Sequence, residues 1–76
     1  MIKVTGRLTK GDGRYWLALE ASCEHEVTTL GEVILAATTG NQAVDEATHV
    51  IGCVSAELNG VKDVTVAYHF ARAPDQ

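Results

Sequence analysis

Arg14-Tyr15-Trp16-Leu17-Ala18-Leu19-Glu20-Ala21-Ser22-Cys23-Glu24-His25-Glu26-Val27-Thr28 carries two periods at once, and the choice between them decides the fold. With strand spacing, Tyr15, Leu17, Leu19, Ala21, Cys23, His25 and Val27 share one face, and the other is polar apart from Trp16 and Ala18. With helical spacing, Trp16, Leu19, Cys23, Val27 and Leu30 line one side, and Leu-Ala-Leu-Glu-Ala suits a helix. Strand is preferred because a turn precedes the stretch, Tyr-Trp opens it, and the alternation is long. A single strand of that length is unusual. It is expected to break near Ala21–His25 into strands over 14–20 and 26–29.

Upstream, Ile2, Val4 and Leu8 alternate with Lys3, Thr5, Arg7 and Thr9, which reads as a half-buried strand. Gly6 interrupts its apolar side and marks either a bulge or a close contact. Lys10-Gly11-Asp12-Gly13 then forms a turn with two glycines free to take positive φ, so a hairpin follows.

Downstream, residues 30–38 remain open to both readings. Leu30, Val33, Ile34 and Ala37 fit a helical turn that Thr29 and Glu32 would cap, whereas Val-Ile-Leu-Ala-Ala fits a buried strand. Val44, Ala47, Ile51, Val54 and Leu58, widened by Ala43 and Val50, give the apolar stripe of a helix over 41–58. Thr39 with Gln42, or Asn41, caps it, Asp45 and Glu46 suit its opening turns, and Asn59-Gly60 supplies a left-handed stop. Val64, Val66, Tyr68 and Phe70 alternate with Asp63, Thr65, Ala67 and His69 as a closing strand, with residues 71–76 a frayed tail.

These elements predict one α+β domain over residues 1–76, a small two-layer structure. An antiparallel sheet in the order ββ(β)αβ packs on one main helix. Trp16 then lies on the uncovered sheet face, either as a site of self-association or as a surface aromatic shielded by Lys3 and Arg7. The alternative, with residues 15–30 helical, is a βαβαβ α/β unit. A three-stranded parallel sheet of that size leaves too much edge and face bare.

Charge is unevenly distributed. The formal net charge is −4. Lys3, Arg7, Lys10 and Arg14 precede residue 15, and the next basic residue is Lys62. Between them lie Glu20, Glu24, Glu26, Glu32, Asp45, Glu46 and Glu57 without a cation, which is either a solvated surface or an acidic face for a basic protein partner. Direct nucleic-acid binding is disfavoured, since phosphate contacts need clustered Lys and Arg. No apolar run exceeds Val33–Ala37, so no membrane span is expected, and Met1–Gly6 has no signal-peptide h-region. Cys23 and Cys53 are too few for a disulfide framework and read as reduced thiols of a cytoplasmic chain.

Chemistry-bearing patterns are sparse. Cys23 with His25, and Asp45 with His49 and Cys53, each offer two or three metal ligands where a structural zinc site needs four. No nucleophile has an orienting base and oxyanion donors in a recognisable pattern, so neither catalysis nor a cofactor is expected. Gly11-Asp12-Gly13 and Thr38-Thr39-Gly40-Asn41 look faintly like phosphate loops, but turn and cap duty accounts for both. The residues expected to contact a partner are Trp16, Glu20, Glu24 and Glu26.

Asp12-Gly13-Arg14-Tyr15-Trp16-Leu17-Ala18, followed eleven residues after Trp16 by Val27-Thr28, resembles the opening of HicB-type antitoxin domains. The likeness spans residues 3–37. It implies a ββ(β)αβ domain that binds and blocks a small basic ribonuclease toxin, often as an oligomer. Ala21–His25 stands where that family has a Pro-Asp-Leu-Pro-Gly turn. On the helical alternative, Gly31–Tyr68 resembles part of the N-terminal domain of electron transfer flavoprotein α subunits. That likeness implies a nucleotide- or anion-binding unit with its glycine loops at one sheet edge.

Overall fold

The structure, a computed structural model, describes residues 2–60 and 64–68. The chain runs β1 (Lys3–Gly11), β2 (Arg14–Cys23), β3 (Glu26–Leu35), α1 (Gly40–Asn59) and β4 (Val64–Tyr68). Residues 15–30 are therefore extended, and the βαβαβ alternative does not describe this chain.

Two short hairpins build the first three strands. Gly11 pairs with Arg14 across Asp12-Gly13, both at positive φ (53° and 70°), the sign pattern whose twist suits a two-residue hairpin. Cys23 pairs with Glu26 across Glu24-His25. Here Glu24 sits at φ 58°, a left-handed position taken without glycine's freedom. β2 and β3 each run further than the sequence suggests, and residues 30–35 continue β3 as strand. A bulge between Leu19 and Glu20 leaves Leu30 unmatched, and Gly31 beside it has φ 141°.

The four-stranded sheet has the order β3-β2-β1-β4. β1–β2 and β2–β3 are antiparallel, but β4 lies parallel to β1, so the sheet is mixed. Direction explains it. Three strands alternate, α1 runs back, and the chain returns along β1 in β1's own sense.

Core positions follow the expected alternation. Val4, Leu8, Tyr15, Leu17 and Leu19 are buried against Ala43, Ala47 and Ile51 of α1, with Leu35 at one end. Gly6 proves to be a close contact. A Cβ there would collide with Cδ1 of Ile51 and come within 2.8 Å of Cδ1 of Leu17. The helix buries Ala43, Ala47, Ile51, Gly52 and Ser55, a row of mostly small residues that lets it sit close to the sheet. Val44, Val50 and Val54 flank that row half-buried, and Leu58, expected in the stripe, is 44% exposed.

The helix ends follow the local signals. Thr39 is the N-cap, its Oγ1 accepting from Gln42 N at 3.2 Å, while Gln42 Oε1 accepts from Thr38 N and Oγ1. Glu46 does not act at the first turn. Its carboxylate accepts from the backbone N–H groups of Ala36 and Ala37, at 3.2 and 3.1 Å, fastening the β3–α1 connection to the helix. Gly60, at φ 75°, closes the helix with its N–H on Ala56 O. The Asn59 amide accepts from Ile2 N (2.8 Å) and donates to Ile2 O, fixing the helix end to the start of β1.

The closing strand is present over Val64–Tyr68. Its expected ends at Asp63, His69 and Phe70, and the tail 71–76, lie outside the described residues.

Candidate protein-binding surface

One helix cannot cover four strands. An α-helix with its side chains is about 10–12 Å across, while four strands at roughly 4.8 Å spacing make a sheet about 19 Å wide. α1 packs chiefly on β1 and β4 and only brushes β2 and β3. β3 is thus left open on the helix side apart from Leu35, whereas Tyr15, Leu17 and Leu19 of β2 are buried there, and no helix packs on the opposite face among the described residues.

β3 shows the consequence. Of its ten residues, only Leu35 is buried. Val27 is 65% exposed, Ile34 48%, Leu30 43% and Val33 40%. Register assigns the faces. Ser22↔Val27, Glu20↔Thr29, Ala18↔Glu32 and Trp16↔Ile34 put Val27, Thr29, Glu32 and Ile34 on the face away from the helix. The bulge switches the alternation, so Val27 and Ile34, seven residues apart, share that face. Val33, paired with Leu17, belongs to the helix side but lies beyond the helix's reach.

The four residues singled out from the sequence all lie on the β2–β3 hairpin but do not converge. Trp16 is half-buried on the open face, opposite Thr9 of β1 and Ile34 of β3. Lys3 is not its neighbour, since it pairs with Ser22 at the far end of β2. Glu20 shares the face of Trp16, in register with Thr5 and Thr29, about 13 Å along the strand at ~3.3 Å per residue. Glu24 forms the turn, and Glu26, opposite Cys23, belongs to the helix-side face. Glu32 joins Glu20 on the open face and was not singled out. Lys3 and Arg7 fall on the same face of β1, so this surface has a basic stripe on one strand and an acidic, apolar one on the next two.

Sequence reasoning missed Val27, Leu30, Val33 and Ile34 because an apolar run reads as buried. Gly31 was the available signal, since a glycine inside a strand pattern marks bulges.

The two depressions found among the described residues are small. One depression, of about 70 Å³, is lined by Thr5, Arg7, Ala18, Glu20 and Ala67. Another, of about 160 Å³, lies by the second hairpin between Ile2, Ala21, Ser22, Cys23, Glu26 and Thr28. Ligand pockets run to roughly 300–1,000 Å³. Gly13 and Thr39 are occupied with turn and cap duties.

Cys53 Sγ lies 3.8 Å from His49 Nε2 on the outside of the helix, and Cys23 and Cys53 are both free and exposed. Among the described residues, no three His, Cys, Asp or Glu gather as metal ligands would. Nor, among them, is any helix long and apolar enough to cross a membrane. No protein-family model, curated protein or solved structure matches the chain.

Proposed function

We propose that this chain is a non-catalytic protein-binding module that docks a basic protein on the β2–β3 half of its sheet. An antitoxin-like or other inhibitor of a basic partner would work in this way. The observation that carries the reading is the uncovered hairpin. It offers Val27 and Ile34 as exposed apolar contacts on the face away from the helix, beside half-buried Trp16, with Glu20 and Glu32 on that same face. Apolar contacts in such a patch supply affinity, while the carboxylates favour a cationic partner and steer its approach. The HicB-type resemblance agrees in element order, because βββαβ falls within the ββ(β)αβ that the likeness implies. Free exposed thiols suit a reducing cytoplasm, where we place the chain.

The test is co-purification from the native cell with a tagged chain, followed by binding measured on the recovered partner. A small basic protein is expected, whose affinity for the unsubstituted chain should decline with salt and should fall at least tenfold for Glu20→Lys with Glu32→Lys. Trp16→Ala should also weaken it. Recovery of no basic protein, or affinity indifferent to the charge reversals, overturns the proposal.

A further inference from the structure

We propose that β3 is also a self-recognition edge, pairing antiparallel with β3 of a second copy about a two-fold axis between Leu30 and Gly31. This concerns the rim of the sheet rather than its open face; it shares Val27 and Ile34 with the docking reading above, and its test is separate from that reading's.

Edge strands present a row of unpaired backbone groups and are ordinarily guarded by being short, by charged side chains, by Pro or by bulges. β3 is ten residues long with no Lys or Pro, and its guards are Glu26, Glu32 and the one bulge, which falls at the proposed two-fold axis; β4, at the other edge, is described over five. What the strand does carry is a pattern complementary to itself. Turned about its own midpoint, it pairs all ten residues, Glu26 opposite Leu35 through to Leu30 opposite Gly31. Val27 then meets Ile34 of the second copy, and Thr29 meets Glu32. Both pairs join residues of the face away from the helix. On the helix side, Thr28 meets Val33.

The bulge makes this face matching possible. Before Leu30 the odd-numbered residues point away from the helix, and after it the even-numbered ones do. A one-residue slip would set Val27 against Val33, which belong to opposite faces. In the proposed register no glutamate opposes another, and the two most exposed apolar side chains of the strand cover each other. Like charges directly opposite would be destabilising, whereas apolar cross-strand pairs are favourable. The isologous contact closes after two copies, as a two-fold dimer should. It would join two four-stranded sheets into one of eight, with a continuous open face.

The experiment uses the whole chain with Cys23→Ser and Cys53→Ser, to which Val27→Cys or Ile34→Cys is added. Both added positions are exposed, so folding should be preserved. Native mass and sedimentation should show a dimer. Oxidation of the two single-cysteine chains mixed together should give a disulfide-linked heterodimer. Either chain oxidised by itself should link poorly, because Val27 and its own copy would stand about 23 Å apart along the strands. Thr29→Lys, facing Glu32 of the second copy, should tighten the dimer, and Thr29→Glu should loosen it, each by several-fold. A monomer at every concentration overturns the proposal. So does cross-linking that is as efficient within one single-cysteine chain as between the two. Dimerisation can fail while a basic partner still binds the open face, and the reverse result is equally readable.

Discussion

The two halves of this sheet are built from similar residues and end in different environments. β1 and β4 lie under the helix, where Val4, Gly6 and Leu8 are fully covered. β3 has Val27, Leu30, Val33 and Ile34, no less apolar, and all four are exposed. Hydrophobicity is therefore no guide to burial here; the width of the single helix is. The covered half holds the fold together. The outer strand leaves its apolar side chains exposed.

Four substitutions would break or sharpen that contrast. Ile51→Ala removes the side chain that fills the hollow above Gly6 and should cost about 2–5 kcal/mol in denaturant unfolding. Gly6→Ala attacks the same contact from the sheet side, and overpacking there should cost about 1–3 kcal/mol. If Gly6→Ala proves neutral, the close seating of α1 on β1 is not what stabilises the covered half. Glu24→Gly should raise stability by roughly 1 kcal/mol, because a left-handed residue loses its Cβ penalty. A parallel loss of partner affinity would place the Glu24 carboxylate at the interface. Val33→Thr should shift the stability of the isolated chain by about 0.5 kcal/mol or less, as exposed positions do. A cost comparable to Ile51→Ala would mean that β3 is covered in solution, and concentration dependence would show whether a second copy covers it.

Local features were legible in the sequence where short-range geometry writes them. Asp12-Gly13 made a hairpin and Asn59-Gly60 ended the helix, while the structure chose Thr39 over Asn41 as its cap and a close contact over a bulge at Gly6. The alternation in residues 14–20 gave the buried face of β2 correctly, from Tyr15 through Leu19. The candidate surface was less legible. Trp16 and Glu20 came out on one face as alternation requires, but Glu26 lies on the other and Glu24 at the turn. Val33–Ala37 could be either helix or buried strand because a short apolar run has no period to arbitrate, and its exposure depends on a layer elsewhere in the chain.

By itself, the sequence determined the first hairpin turn, the main helix with its cap and stop, and the alternation of the closing strand, since backbone sterics and capping act over a few residues. Tertiary structure decided three further matters. Small Ala43, Ala47, Gly52 and Ser55 became the face of α1 that meets the sheet, while Leu58 turned outward. β4 joined β1 in parallel, and the helix settled over that side. The reason is geometric. One helix cannot cover all four strands, and the side it covers is chosen by where the close contact at Gly6 and the Asn59–Ile2 hydrogen bonds bring it down. Those contacts join residues far apart in the chain, and no local period encodes them.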